Sequence, residues 1–170
     1  MTGCCTRWAR IFAAGLAVSL VLAAPSGGDD YEALRKTMVE VQVRQRGITQ
    51  PEVLAAMAQV PRHLFVPDSQ KAVAYENQPI IFGPGRTIYQ PYVVALMTSL
   101  LDLDRGDRVL EVGTGSGYHA AILSRIAREV YSIEIVEPVA RQAARRLEIL
   151  GYHNIEVRAG DGYQGWPDKA

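Results

Sequence analysis

The 170-residue sequence predicts an α/β protein, and three observations carry that prediction. From Arg108 onward, stretches with strand and helix patterning alternate at 108–112, 117–127, 130–135, 138–150 and 155–159. The first of these strands runs straight into a glycine-rich turn, Gly113-Thr114-Gly115-Ser116-Gly117. The chain before Arg108 has helical spacing instead, with proline at early helix positions. Strand–helix–strand–helix–strand implies a parallel sheet with right-handed crossovers. The expected architecture is therefore Rossmann-like, holding the first half of such a sheet and preceded by a helical region.

Residues 1–24 read as an export signal. Arg7 and Arg10 precede an uncharged apolar run over 11–24, and small residues follow, with cleavage expected after Ala23 or Ser26. A membrane span needs roughly 20 apolar residues, so a cleaved signal is favoured over an anchor. The expectations are a periplasmic protein without stable membrane association after cleavage. Cys4 and Cys5, the only two cysteines, leave with the signal, which excludes disulfides, zinc thiolates and cysteine nucleophiles from the remainder. With 48% hydrophobic and 21% charged residues, the composition is that of an ordinary globular protein. Equal numbers of basic and acidic residues, 18 each, argue against a nucleic-acid partner held by a basic surface.

Residues 25–30 look like a polar linker. A helix is expected over 31–46, with Leu34, Met38 and Val41 buried and Gly47 as its stop. Thr49 and Glu52 have capping-box spacing before a helix that buries Val53, Leu54 and Met57 and must end near Pro61. Residues 62–84 read as irregular. Gln90-Pro91 opens another helix, with Val94, Met97 and Leu101 on its buried face, and 102–107 form a polar turn. The chain thus divides into 1–24 (signal), 25–104 (helical, substrate side) and 105–170 (a partial nucleotide-binding domain).

The chemistry concentrates at the strand ends. The glycines at 113, 115 and 117 make G-x-G-x-G, whereas a dinucleotide fingerprint needs glycine where Tyr118 stands. Glu111 lies just before the loop, Glu134 ends the second strand, and Asp161 follows the third in Gly160-Asp161-Gly162. Ligands of open α/β sheets bind at these carboxyl ends. Three such features on successive strands point to S-adenosylmethionine. Amides of the loop Gly113, Thr114, Gly115, Ser116 and Gly117 would meet its carboxylate. Glu111 would face the ammonium group, Glu134 the ribose, and Asp161 with Gly162 the adenine. His63, His119 and His153 are widely separated and read as structural or surface residues, so no metal site is expected. Arg141, Arg145 and Arg146 read as a solvated helix face, and Tyr163 and Trp166 as packing or adenine-edge residues.

Several segments, in order, closely resemble the protein-L-isoaspartate O-methyltransferase family. They are Val60-Pro61-Arg62-His63-Leu64-Phe65-Val66-Pro67, Ala74-Tyr75-Glu76, Gly85-Arg86-Thr87-Ile88-Tyr89-Gln90-Pro91, Glu111 to Tyr118, Val130 to Glu134, Gly160-Asp161-Gly162 and Gly165-Trp166-Pro167. The resemblance spans residues 31–170 and implies an S-adenosylmethionine-dependent methyltransferase fold. It implies methyl transfer to the free carboxylate of L-isoaspartyl residues in damaged proteins or peptides, whose esters close to succinimides and so allow repair. A carboxylate titrates near ~4 and needs no general base. Two departures stand out. Tyr89 replaces the serine that the family usually carries beside the substrate carboxylate, which makes it the candidate catalytic residue. The family also continues into a fourth strand after the Gly-Trp-Pro segment, so the expectation is a C-terminally truncated member with weak donor binding and little transfer. A methyltransferase with another substrate and an inactive cofactor-binding fragment stay open as alternatives.

Overall fold

A computed structural model describes residues 27–169. The expected signal, residues 1–24, lies outside the described residues. Helix α1 (Gly27–Thr37) begins inside the stretch expected to be linker. It continues without a break into a π-helical turn, Met38–Val43, and a 3-10 turn, Arg44–Arg46, and stops at Gly47 as expected. The widened π turn changes the face that meets the core. Met38, Val39 and Val43 are buried, while Leu34 and Val41, expected inside, are exposed.

Helix α2 (Pro51–Gln59) buries Val53, Leu54, Ala56 and Met57 and ends before Pro61. Its cap is Gln50, with no side-chain capping bond, so the capping box does not form. Proline at the first helical position sets the helix start one residue later than Thr49 would require. Residues 62–84 contain 3-10 turns at Arg62–Leu64 and Asp68–Val73. They also supply the first strand of an unexpected antiparallel hairpin, β1 (Ile80–Gly83) and β2 (Arg86–Ile88), in which Ile80 pairs with Ile88. Helix α3 (Pro91–Leu100) starts at Gln90 as expected but buries Pro91, Val94, Ala95 and Thr98. Leu101 is instead exposed just past its end.

The second half follows the expected alternation: β3 (Arg108–Val112), α4 (Tyr118–Leu123), β4 (Glu129–Glu134), α5 (Glu137–Ile149) and β5 (Ile155–Ala159). Helix α4 is shorter than 117–127. After it, Arg125 and Ile126 donate to Ile122 and Leu123 in tight turns, and the Ser124 hydroxyl donates to the Ala121 carbonyl. The sheet is parallel in the order β3-β4-β5. Val109 and Val130 join the main core with α2, α4 and Leu147 of α5. The opposite face carries a small cluster of Tyr131, Ile133 and Trp166 and leaves Leu110 and Val112 exposed. Among the described residues, no helix is long and apolar enough to cross a membrane.

Candidate functional site

The glycine turn leaves the tip of β3 and enters α4 with Gly113, Gly115 and Gly117 all at positive φ, a path that side chains rarely allow. The amides of these glycines are spent inside the protein. Gly113 donates to the Ile133 carbonyl at 2.7 Å, Gly115 to Glu134 Oε2 at 2.9 Å and Gly117 to the Thr114 carbonyl at 2.9 Å. Their contribution is therefore shape rather than free donors. At Gly115 the shape is tight, because an added Cβ would stand 3.4 Å from the Phe82 ring. The hairpin β1–β2 thus lies over the loop.

Two cavities that share wall residues flank this contact. The inner one, about 250 Å³, is lined by Glu111, Thr114, Ser116, Tyr118, His119, Met97 and Tyr89. The outer trough, about 720 Å³, is lined by Phe82, Arg86, Glu134, Ile135, Val136 and Tyr89. Thr87, Tyr89, Val112, Gly113 and Gly115 border both. Glu111 and Glu134 therefore lie on two adjoining cavities that share Gly113 and Gly115 of the glycine loop as walls. Asp161 lies beyond β5 and lines neither cavity. It is exposed, and its Oδ1 accepts from the Tyr163 amide at 3.0 Å. Gly162 packs against Val112 so closely that a Cβ would sit 2.3 Å from Val112 Cγ1.

Glu134 is buried at the tip of the central strand. Besides the Gly115 amide on Oε2, its Oε1 accepts from Val136 at 3.0 Å, so the carboxylate ties the glycine loop to the start of α5. Glu111 is also buried, and its Oε2 accepts from the Ser132 hydroxyl at 2.5 Å. Ser132 in turn contacts the Thr114 hydroxyl at 2.5 Å. Burial is the main cause that pushes the Glu111 carboxyl up to about 7; the Ser132 hydrogen bond opposes the rise and the charge of Glu134 adds to it. Between two carboxyl groups and with Arg86 as the one arginine lining the trough, the space suits a cationic end, hydroxyls and an apolar ring better than a polyphosphate.

Sequence reasoning missed four contributors. His119, taken for a structural residue, faces the inner cavity with Nδ1 3.4 Å from Glu111 Oε1, and burial pushes it down to about 4. Its Nε2 lies 3.2 Å from the Thr98 hydroxyl of α3. Arg146 leaves the solvated face assigned to it and donates to the Ser116 carbonyl at 2.9 Å. Arg62 is wholly buried, donating from Nε to Ala74 at 2.7 Å and from Nη2 to the Tyr89 carbonyl at 2.8 Å. It thereby fixes the backbone of Tyr89, whose side chain is exposed at the mouth of the trough. Tyr163 is fully exposed, whereas Trp166 packs edge-on to Tyr131 at 5.4 Å. Among the described residues, no cluster of three or more His, Cys, Asp or Glu is placed to hold a metal.

Residues 33–170 match the model of the family described as Protein-L-isoaspartate(D-aspartate) O-methyltransferase (PCMT). The chain belongs to that family. A relative named protein-L-isoaspartate O-methyltransferase from Picosynechococcus is 55% identical over 142 residues, covering 84% of this chain and 64% of the relative. Another of that name, from Synechococcus, is 52% identical over 146 residues, covering 86% and 60%. The chain thus spans less than two thirds of the length of these curated family members. A solved protein-L-isoaspartate O-methyltransferase superposes with a TM-score of 0.70 at 32% identity, over 79% of this chain and 44% of the solved one. A Plasmodium falciparum protein solved in complex with S-adenosyl-L-homocysteine shares the fold, with a TM-score of 0.65 at 24% identity over 79% of this chain and 66% of that one. The family fold is therefore the Rossmann-like α/β arrangement expected from the strand–helix alternation.

Proposed function

We propose that this chain binds S-adenosylmethionine at the tips of β3 and β4 and methylates the free carboxylate of L-isoaspartyl residues in proteins or peptides. The observation that carries this reading is the placing of Glu111 and Glu134 on adjoining cavities that share the glycine loop, Thr87 and Tyr89 as walls, in a chain of this family. When bound, the donor supplies a methyl group activated by a sulfonium. Glu111 faces the cationic end, Glu134 offers the free lone pairs of its two oxygens to ribose hydroxyls, and Ile135, Val136 and Phe82 give the trough an apolar wall. Asp161 and Gly162, past β5 and outside the lining of both cavities, are assigned the adenine side.

The acceptor needs little help from the protein. A carboxylate is already anionic at neutral pH, having a pKa near ~4. Orientation and exclusion of water are the contributions left, and they fall to the hairpin and the Thr87–Tyr89 segment clamped by Arg62. In this reading the Tyr89 phenol, exposed where it borders both cavities, hydrogen-bonds the acceptor carboxylate. In this reading residues 25–104 form the substrate side and 105–170 the donor side. Residues 1–24 direct the chain to the periplasm, supported by Arg7, Arg10 and the uncharged run after them.

The test is calorimetric titration of the full chain with S-adenosylhomocysteine, together with transfer of labelled methyl from S-adenosylmethionine to an L-isoaspartyl peptide and to its aspartyl twin. Saturable binding and label on the isoaspartyl peptide alone are expected. Absence of binding, or Glu134→Ala binding like the parent, overturns the reading. The bulk of Tyr89 at the trough mouth favours one second reading, a different carboxylate acceptor, which label on another acceptor but not on the isoaspartyl peptide would establish.

A further inference from the structure

The hydroxyls around Glu111 fix where protons sit. Thr98 Oγ1 donates to the Val94 carbonyl at 2.9 Å, so towards His119 it can only accept, and His119 carries its hydrogen on Nε2. That leaves a bare lone pair on Nδ1, which lies 3.4 Å from Glu111 Oε1. On the other side, Ser132 donates to Glu111 Oε2, with Thr114 donating to Ser132. The one contact without a hydrogen from elsewhere is the one between Glu111 Oε1 and His119 Nδ1. A neutral imidazole facing an ionised carboxylate would set two lone pairs against each other in a buried place.

We propose that Glu111 and His119 form a proton-exchanging subsite: in the free protein a proton sits on Glu111 Oε1 facing His119 Nδ1, and seating of an α-ammonium group releases it to solvent. This rests on the reading of the strand tips as a donor site. The O–H bond of the Glu111 carboxyl breaks, its electron pair stays as the carboxylate that faces the ammonium, and the proton passes to the buffer. His119 acts as a positioning residue, since its Nδ1 decides which oxygen holds the proton.

The surroundings agree with this. Ser132 and Glu134 from β4 and His119 from α4 act on or lie beside Glu111, and Thr114, Tyr118 and Tyr89 line the same cavity. None of these is a resident cation. Burial raises the Glu111 carboxyl and lowers His119, so near neutral pH the pair holds one proton or none, never two.

The experiment titrates the full chain with S-adenosylhomocysteine, which keeps the α-ammonium group, in phosphate, HEPES and Tris buffers. At pH 7 about half a proton should be released per ligand, approaching one near pH 6 and none near pH 8. Below pH 7 the Kd should rise by up to about tenfold per pH unit. Methylthioadenosine, which lacks the ammonium group, should bind without proton release. In Glu111→Gln, the amide mimics the protonated acid, and binding should lose both buffer and pH dependence. In His119→Gln, an amide N–H facing Glu111 in place of the lone pair favours the carboxylate, so release at pH 7 should fall below that of the parent. Equal heats in all three buffers for the parent chain overturn the proposal and leave the donor site standing. No S-adenosylhomocysteine binding at any pH overturns the donor site itself, and the proposal with it.

Discussion

Gly162→Ala tests how closely the tip of β3 is packed beneath the loop after β5. The new Cβ would stand 2.3 Å from Val112 Cγ1, 3.2 Å from Cγ2 and 3.3 Å from Cβ. Rotating the valine about χ1 carries Cγ1 away but leaves the Cβ contact, which is itself tighter than ordinary van der Waals approach. The backbone must therefore give as well, and overpacking of this kind costs about 1–3 kcal/mol. For a chain of this size that is a fall in Tm of roughly 3 °C or more for each kcal/mol. Urea unfolding of the parent, Gly162→Ala, Val112→Ala and the double variant isolates the contact. Val112 is largely exposed, so Val112→Ala alone should cost about 0.5 kcal/mol or less. The double variant should recover about 1 kcal/mol of the alanine penalty as a coupling energy. A Gly162→Ala protein as stable as the parent, or strict additivity in the cycle, would refute the packing described.

Three further outcomes follow from the same geometry. The pH dependence of stability should separate Glu111 from His119. The Glu111 carboxyl is raised in the fold from 4.5 to about 7, so its contribution falls as pH rises between these values; His119 is lowered from 6.5 to about 4, so its contribution is lost as pH falls through that window. In the parent the two slopes cancel between about pH 4.5 and 6.5, whereas Glu111→Gln should gain on the order of 3 kcal/mol relative to the parent on going from pH 4.5 to 6.5, read from urea midpoints. Arg62→Ala should cost about 3 kcal/mol or more, because it strips one buried and one part-buried carbonyl of their donor and leaves a cavity, and amide exchange at 87–89 should accelerate. Tyr89→Phe and Tyr89→Ser should leave stability within about 0.5 kcal/mol, since the side chain is exposed; under the proposed function Tyr89→Phe lowers methyl transfer and Tyr89→Ser preserves it.

What could be read from the sequence divides along a physical line. β3 and β5 lie at the expected residues, because short apolar stretches that end at a glycine or a polar turn advertise both ends. The three acids at the strand ends were visible for the same reason, their positions following from strand length alone. The hairpin was not visible. Its strands have four and three residues, and prolines at 79 and 84 hide their alternation. The exposure of Val41 was not visible because it lies in the π turn after α1, which obeys no 3.6-residue period. His119, Thr98, Arg62 and Arg146 act across elements distant in sequence, through bonds such as Arg146 to Ser116 that leave no local spacing to detect.

The strand order sets the two principal acids on unequal footings. Glu134 ends β4, which is laced to a neighbour along both sides, while Glu111 rides on β3, which is laced along one side among the described residues. A marginal strand ordinarily frays first. Here the Glu111–Ser132 hydroxyl bond and its continuation to Thr114 act as a side-chain rivet between margin and centre. Removing that rivet, as Ser132→Ala would, should let β3 work loose before anything else in the sheet. Under the proposed function, the residue that greets the ligand's charge is thus also a fastening of the strand that presents it.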